Sequence, residues 1–451
     1  MKKNTSLQQE YSNNIQIICI FAATIKVIKK SLTINTLKKM KANPFFLTIL
    51  LVTSGILFLF SCEHDVYDSA KIENTKDLIA PSDFDWKTSQ QVICSLTSPA
   101  STVVSIYTDA ACNDENLLVE GIVLKADEAK EITLNMPADK TDIYVQYPTA
   151  NGKGVLKGAL AATTRNKNKN IILLLPNNVE EEFKDQLLHY YYPSKNTQGT
   201  LMFEDLYPEL GDFDFNDFVI GYNAACYFSG FGDITTDGFT FTFKIRAIGG
   251  SLPYRPALRL KGFAMKNLKD AEISYTSTRA GIELKLVEGR SDEQDVIFII
   301  TGTEKLRQGG FFNTNPEKAT DSDLPVLTCK VEKDNLNSPG TASQYARLAS
   351  NLPTFFDFFL QNTNNNDEIH FKGFNPTDMS NMAPDTEFIH KGRKLVWAIA
   401  VPEEVRYAKE GIDILNIYQG NFQSWVSTGG TKNKDWYENP KRPEGLFPSI
   451  N

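Results

Sequence analysis

Along residues 90–176, short apolar runs alternate with turn residues. QVICSL, TVVSIYT, EITLNM, DIYVQY and IILLLP are separated by Ser98-Pro99, Asn151-Gly152 and the RNKNKN stretch at 165–170. Runs of this length, rich in Val, Ile and Thr, predict the strands of a small β-sandwich. The pattern resumes after residue 200 with FVIGYNAACYF, FTFTFKIRAI, DVIFIIT and KLVWAIAVP. Alternation in FTFTFKI places Phe239, Phe241 and Phe243 on one face, as a half-buried strand requires. The expected fold is all-β: a small N-terminal β-sandwich at 81–178 followed by a larger, jelly-roll-like β-sandwich at 200–451. Between them NNVEEEFKDQLLHYYYPSKNTQG is the only acidic, helix-like run. Acids after Asn177-Asn178 suit a helix start, and Pro193 and Gly199 suit its end, so 179–199 is expected to be a linker with a short helix. Alternating Asn and Lys at 165–170 read as a solvated hairpin loop rather than a phosphate patch.

The N-terminus has a different grammar. Pro44 to Phe60 is 17 residues without a charge, preceded by Lys38, Lys39 and Lys41 and followed by SCEHD. A basic region, an apolar stretch and a small residue at the break form a secretory signal, here 1–61, with the natural start expected at Met40. The break at Ser61-Cys62 resembles the lipobox of bacterial lipoproteins, which implies acylation of Cys62 and a tether over 62–80. The rival is a membrane-spanning helix, for which 17 residues is slightly short of the roughly 20 needed. Acids just after Cys62 resemble the export signal of surface lipoproteins in the Bacteroidetes, which implies a lipid-anchored, surface-exposed place in the outer membrane.

Composition narrows the function. The 451 residues are 41% hydrophobic and 11% aromatic, enough for packed cores. From residue 62 onward 39 basic residues face 54 acidic ones, a net of −15, which argues against a nucleic-acid partner. The four His (64, 189, 370, 390) form no HExxH spacing, and no GxSxG, P-loop or GxGxxG element is present, so zinc, hydrolase and nucleotide chemistry lack support. His370, among alternating apolar residues, reads as a strand histidine with a structural hydrogen bond. With Cys62 acylated, Cys94, Cys112, Cys226 and Cys329 remain in the mature chain. Cys94 and Cys112 share the small sandwich and are the candidate disulfide, with single buried thiols the equal alternative.

One segment carries distinctive chemistry. In TLMFEDLYPELGDFDFNDFVIGY (200–222), Glu204, Asp205, Glu209, Asp212, Asp214 and Asp217 crowd together with Asn216. Clustered carboxylates repel, and a divalent cation removes that penalty. An extended loop would point Asp212, Asp214 and Asn216 one way and Phe213 and Phe215 the other, giving an oxygen cage fixed to the core. Such a set of carboxylates and amides suits Ca²⁺. An EF-hand is excluded, because Asp217 stands where its Gly belongs and Asn223 where its Glu belongs. Aspartates merely capping turns, or Glu204 and Asp205 as a glycosidase pair, are the alternatives.

FEDLYPELGDFDFNDFVIGY resembles the signature of the LruC-type domain of bacterial surface lipoproteins. EIHFKGFNPT (368–377), LVWAIAVPEE (395–404) and the Trp425, Gly429-Gly430, Trp436-Tyr437 ending agree with it, so the resemblance spans roughly 200–445. It implies an N-terminal β-domain, no assigned reaction, and a calcium site at Glu204, Asp205, Asp212, Asp214, Asn216 and Asp217. IGGSLPYRPALRL (248–260) departs from the glycine- and asparagine-rich stretch expected there. The expected function is therefore a non-enzymatic surface lipoprotein with structural Ca²⁺ that binds or adheres to a glycan or an extracellular matrix protein. A glycan-processing enzyme and a surface-fibre subunit are the rivals.

Overall fold

Apolar alternation becomes strand pairing in the computed structural model. It describes residues 72–451 apart from 161–168, 183–186, 230–235, 292, 308–309, 319, 335–338 and 449–451. The signal region, Cys62 and the tether up to residue 71 lie outside the described residues. In chain order the strands are β1 (Ser89–Thr97), β2 (Thr102–Tyr107), β3 (Leu117–Leu124), β4 (Lys130–Pro137), β5 (Asp142–Thr149), β6 (Gly152–Ala159), β7 (Lys169–Leu174), β8 (Leu187–Tyr192), β9 (Gly199–Phe203) and β10 (Phe218–Ser229). They continue with β11 (Thr236–Ala247), β12 (Tyr254–Leu260), β13 (Glu272–Ser277), β14 (Glu283–Leu286), β15 (Val296–Thr301), β16 (Val326–Asp334), β17 (Phe356–Asn362), β18 (Glu368–His370) and β19 (Ala398–Val401). Among the described residues four short helices accompany them: α1 (Pro339–Ser350), α2 (Leu352–Phe355), α3 (Ile414–Ile417) and α4 (Asn421–Ser427). The fold is all-β in three sheets, as the alternation predicts. Among the described residues no helix is long and apolar enough to cross a membrane.

One sheet orders β4-β1-β7, a second orders β14-β15-β12-β17-β18, and the largest runs β13-β16-β11-β10-β8-β3-β2-β5-β6 with β9 and β19 branching from β10. Strand β10 is the pivot: its first half pairs β9, its second half pairs β8, and its other edge pairs β11 along most of its length. Phe239, Phe241 and Phe243 on β11 are all buried. They pack across to the five-stranded sheet, Phe241 against Phe356 at 4.7 Å and Phe243 against Phe358 at 4.9 Å between ring centroids.

Three expectations change. Leu187–Tyr192, placed in a helical linker, is strand β8. The acidic run suggests a helix, but period-two burial decides the outcome: Leu188, Tyr190 and Tyr192 face the core while Tyr191 turns outward to bond Glu120. Because β8 pairs both β3 and β10, one hydrogen-bonded sheet continues through the segment that separates the two expected sandwiches. The end of the expected tether is also docked. Thr75 donates from its amide and hydroxyl to Asp413 at 2.7 and 2.5 Å, and Leu78 and Ala80 are buried beside Phe84, Trp86 and Trp425. Polarity over 72–80 conceals this, since two apolar residues and one capped turn suffice to anchor it. Finally, all four described cysteines are free thiols. Cys94 points from β1 into the core, whereas Cys112 sits partly exposed in a turn beside the carbonyl of Asp109, so the two do not form the candidate disulfide.

A buried ionic group locks β12, β17 and β18 together. His370 Nδ1 lies 2.9 Å from Asp357 Oδ1, and its Nε2 lies 2.9 Å from Glu368 Oε2. Arg259 bonds Asp357 at 2.6 Å, and Thr377 donates from amide and hydroxyl to Glu368. Burial lowers the pKa of His370, but the Asp357 charge and the hydrogen bonds to both carboxylates override it, for a net rise. His370 is thus a strand histidine in a structural network. A histidine with a raised folded pKa contributes stability that is fully present below its unfolded value, near 6.5, and is lost as pH climbs through the folded value. His370→Gln should therefore cost about 3 kcal/mol at pH 5.5, with the penalty shrinking toward pH 9. Thermal unfolding of both proteins at the two pH values checks this, and a penalty independent of pH would contradict it.

Candidate metal centre

The Asp-rich segment leaves β9 at Phe203 and enters β10 at Phe218, so the two antiparallel strands hold its ends together. Between them the chain is not extended. Phe213 and Phe215 both adopt left-handed backbone, with φ of 58° and 53°. That conformation is costly for a bulky side chain, by roughly 1–2 kcal/mol each, and two gains offset it. Both rings are buried in the aromatic cluster of Trp425 and Trp436. Both amides turn toward Glu204, donating to Oε2 at 3.2 Å from Phe213 and to Oε1 at 2.6 Å from Phe215. The loop is wound around one buried carboxylate.

Each candidate ligand has a definite place. Glu204, Asp205, Asp214 and Asn216 are buried, Asp217 is half-buried and Asp212 is exposed. Glu204, Asp212 and Asp214 each bring one oxygen within 4.8 Å of the others, and this group could hold a metal ion. Asn216 holds Asp214 from beside, its amide and Nδ2 donating to the two carboxylate oxygens at 3.0 and 2.8 Å, and Gly411 donates to Asp214 at 2.7 Å. Asp205 and Asp217 form a neighbouring pair: the Asp205 amide donates to Asp217 Oδ2 at 2.7 Å, and Asp205 Oδ2 accepts from Leu252 at 2.8 Å. The six residues therefore fall into two adjoining groups rather than one fan, because the left-handed turns replace the extended strand geometry. Of the six, Asp212 is the exposed member.

The electrostatics follow from burial. Desolvation pushes Asp214 up to about 8, with the Asp212 charge adding to it. Glu204 and Asp217 are raised well above the carboxylate range, first by burial and then by nearby charges, Asp217 foremost for Glu204 and Asp205 foremost for Asp217. Asp205 is raised by burial against several hydrogen bonds and the nearby Arg307.

Residues that the sequence does not flag complete the site. Glu410 Oε2 and Asn216 Oδ1 are buried and have no hydrogen-bond partner among the described residues. Both lie against the space where a Cβ at Gly249 would sit, which would collide with the Asn216 oxygen. At Gly250 a Cβ would strike Asp205. Gly249-Gly250 is thus a close backbone approach that leaves room for oxygen atoms, and the segment read as a departure from the family pattern forms one wall of the site. Adjacent glycines just after β11 could have signalled this. Glu410 carries no local signal; it arrives from nearly 200 residues away.

An all-β body with a buried carboxylate group able to hold a metal is the class that fold and site define. Two family matches sit on either side of the Asp-rich segment, and Gly249, Gly250 and Glu410 fall within the second. Residues 102–173 match "Domain of unknown function (DUF4841)" and residues 236–437 match "Domain of unknown function (DUF4842)", so the Asp-rich motif lies between the two. No curated protein matches the chain. Among solved structures, a "putative lipoprotein" from Bacteroides ovatus shares the fold with a TM-score of 0.61 and 21% identity, covering 77% of this chain and all of its own. A major pilin subunit of Bacillus cereus and the major pilin SpaD of Corynebacterium diphtheriae align over 62% and 64% of this chain, and 66% and 65% of their own, at 8% and 12% identity. Their TM-scores of 0.16 and 0.15 carry no fold argument.

A carboxyl with a raised folded pKa is protonated more readily in the folded chain than in the unfolded one. Stability without metal must then fall as pH rises from about 4, the unfolded value, to about 8 for Asp214. In chelator the melting temperature should drop on the order of 5 °C between pH 5 and 8. Asp214→Asn, which carries a permanently neutral side chain, should flatten part of that slope. A wild-type melting temperature that rises with pH would contradict the burial argument.

Proposed function

We propose that this chain is a non-enzymatic lipoprotein of the outer-membrane surface, braced by a structural Ca²⁺ ion, that binds or adheres to a glycan or an extracellular protein. The observation that carries the metal reading is the pair of partnerless buried oxygens, Asn216 Oδ1 and Glu410 Oε2, beside the Glu204, Asp212 and Asp214 group. Unsatisfied buried acceptors cost about 1–3 kcal/mol each, and a cation recovers that cost while removing carboxylate repulsion. All these donors are oxygens, which suits Ca²⁺ rather than zinc or copper. Asp205, Asp217 and Asn216 would hold the first ligands in place or join them. Burial of Glu204 and Asp214 keeps substrate away, which favours a structural ion over catalysis.

The address rests on the secretory signal and Cys62, and the Bacteroides ovatus protein, named a "putative lipoprotein", supports it through the shared fold. The LruC-type resemblance over roughly 200–445 points the same way. Cys62→Ala should release the protein from the membrane fraction and abolish incorporation of labelled palmitate; retention of both in the variant rejects the anchor.

Calcium at about ten times its dissociation constant, with a constant of order 10⁻⁴ to 10⁻³ M, should stabilise the fold by roughly 1.4 kcal/mol. Differential scanning calorimetry with Ca²⁺ and with chelator measures it. Asp214→Asn with Asp217→Asn should lower the calcium-loaded melting temperature and remove the calcium response. Identical curves for the wild type in both buffers would reject the site.

A further inference from the structure

The cleft beside α1 and α2 is unlike the rest of the molecule. Residues 72–451 hold 38 basic and 51 acidic groups, and some lysines and arginines elsewhere face a carboxylate, as Lys140, Lys157, Lys195 and Arg279 do. Yet Lys87, Lys261, Arg347 and Lys372, from four distant stretches of chain, line one cleft of about 490 Å³ whose walls contain no acidic residue. Among the described residues none of the four has a carboxylate within 4.0 Å. In a body with excess acid, four cations lining one cleft form a local positive surface that a multiply charged anion matches.

Three of the charges are held in place. Arg347 lies 5.0 Å over the Phe355 ring, Lys261 lies 5.4 Å over Phe374, and Lys372 donates to the carbonyls of Ser82 and Phe84. Fixed cations lose less entropy on binding than free ones. The volume exceeds what one sulfate or phosphate fills and lies in the range of small organic ligands. The polar side chains of the wall are mainly donors, and the Asn351 side-chain oxygen is already taken by Gln91. A ligand whose anionic oxygens accept from several of these donors at once fits. Single-stranded nucleic acid needs open aromatic faces for its bases, and here both phenylalanines already carry a cation.

We infer that this cleft binds an acidic saccharide, a short chain of sugars carrying sulfate or carboxylate groups. The inference deepens the binding reading above and rests on it.

The test uses the full chain and isothermal titration with five probes: sulfated dextran oligosaccharide, polygalacturonate fragment, unsulfated dextran of equal length, inorganic sulfate, and an eight-residue oligothymidylate. Binding of either acidic saccharide, little or none of neutral dextran, and a roughly tenfold weakening between 50 and 200 mM salt are expected. Lys261→Ala and Arg347→Ala should each weaken binding roughly threefold to fivefold. Lys261→Glu with Arg347→Glu should abolish it without moving the melting temperature, while Lys157→Glu, outside the cleft, leaves it unchanged. The inference is overturned by acidic-saccharide binding that ignores the cleft substitutions, by equal affinity for neutral dextran, by tighter binding of the oligothymidylate, or by response to inorganic sulfate alone. Binding of a neutral glycan or a matrix protein, unaffected by those substitutions, would overturn it and leave the adhesion reading intact. Silence toward every probe and every glycan or matrix protein would overturn both.

Discussion

Everything around the candidate centre depends on the burial of the Glu204 carboxylate. It sits at the end of β9 with no access to water, and its two oxygens draw in the amides of Phe213 and Phe215. Those two contacts require left-handed backbone at both phenylalanines, which turns their rings into the aromatic cluster. The same turns bring Asp214 against Asn216 and Gly411. A buried carboxylate satisfied only by neutral amides remains an uncompensated charge, so the loop is organised for a charge that must also be neutralised. A proton does this at low pH, and a dication would do it at higher pH.

This arrangement explains why distant parts of the chain converge. The aromatic cluster beneath the loop takes Phe84 and Trp86 from the start of the described body and Trp425 and Trp436 from its end, with Phe84 stacked on Trp86 at 4.7 Å and Trp425 edge-on at 4.9 Å. Asp413, near the site, accepts both donors of Thr75. The Trp397 indole donates to the carbonyl of Glu209 at 2.8 Å, while the Glu204 amide donates to the Trp397 carbonyl at 2.8 Å. Loop, C-terminal segment and N-terminal segment are thereby one packing unit, and neutralising the carboxylates affects all three.

What the sequence reveals depends on the range of the forces involved. Alternation in FTFTFKI is a local signal, and its three phenylalanines take the buried face it predicts. The carboxylate density of 204–217 is likewise local, so the site's main residues are legible without a structure. The loop's handedness is not. Nothing in GDFDFND favours left-handed phenylalanines over an extended chain; long-range burial of their rings decides it. For the same reason the acidic run suggests a helix within 179–199, while pairing with β3 and β10 makes Leu187–Tyr192 a strand. Glu410 and the four cations of the cleft are invisible for a simpler reason, since each is an ordinary residue until the fold sets it beside the others.

The two charged features also differ in what their charges can do. Glu204 and Asp214 are enclosed, so the free energy of an ion held there would go into the fold. Lys87, Lys261 and Arg347 are exposed, so each is well solvated and singly contributes little to stability. Their value lies in acting together on a partner that carries several opposite charges, where the contributions add and the response to salt becomes steep. An acidic body then serves a purpose of its own: it repels extended polyanions at long range while the cleft attracts a short one at contact. Selectivity between the two follows from the distance over which each field acts, about a Debye length of 8 Å at physiological ionic strength.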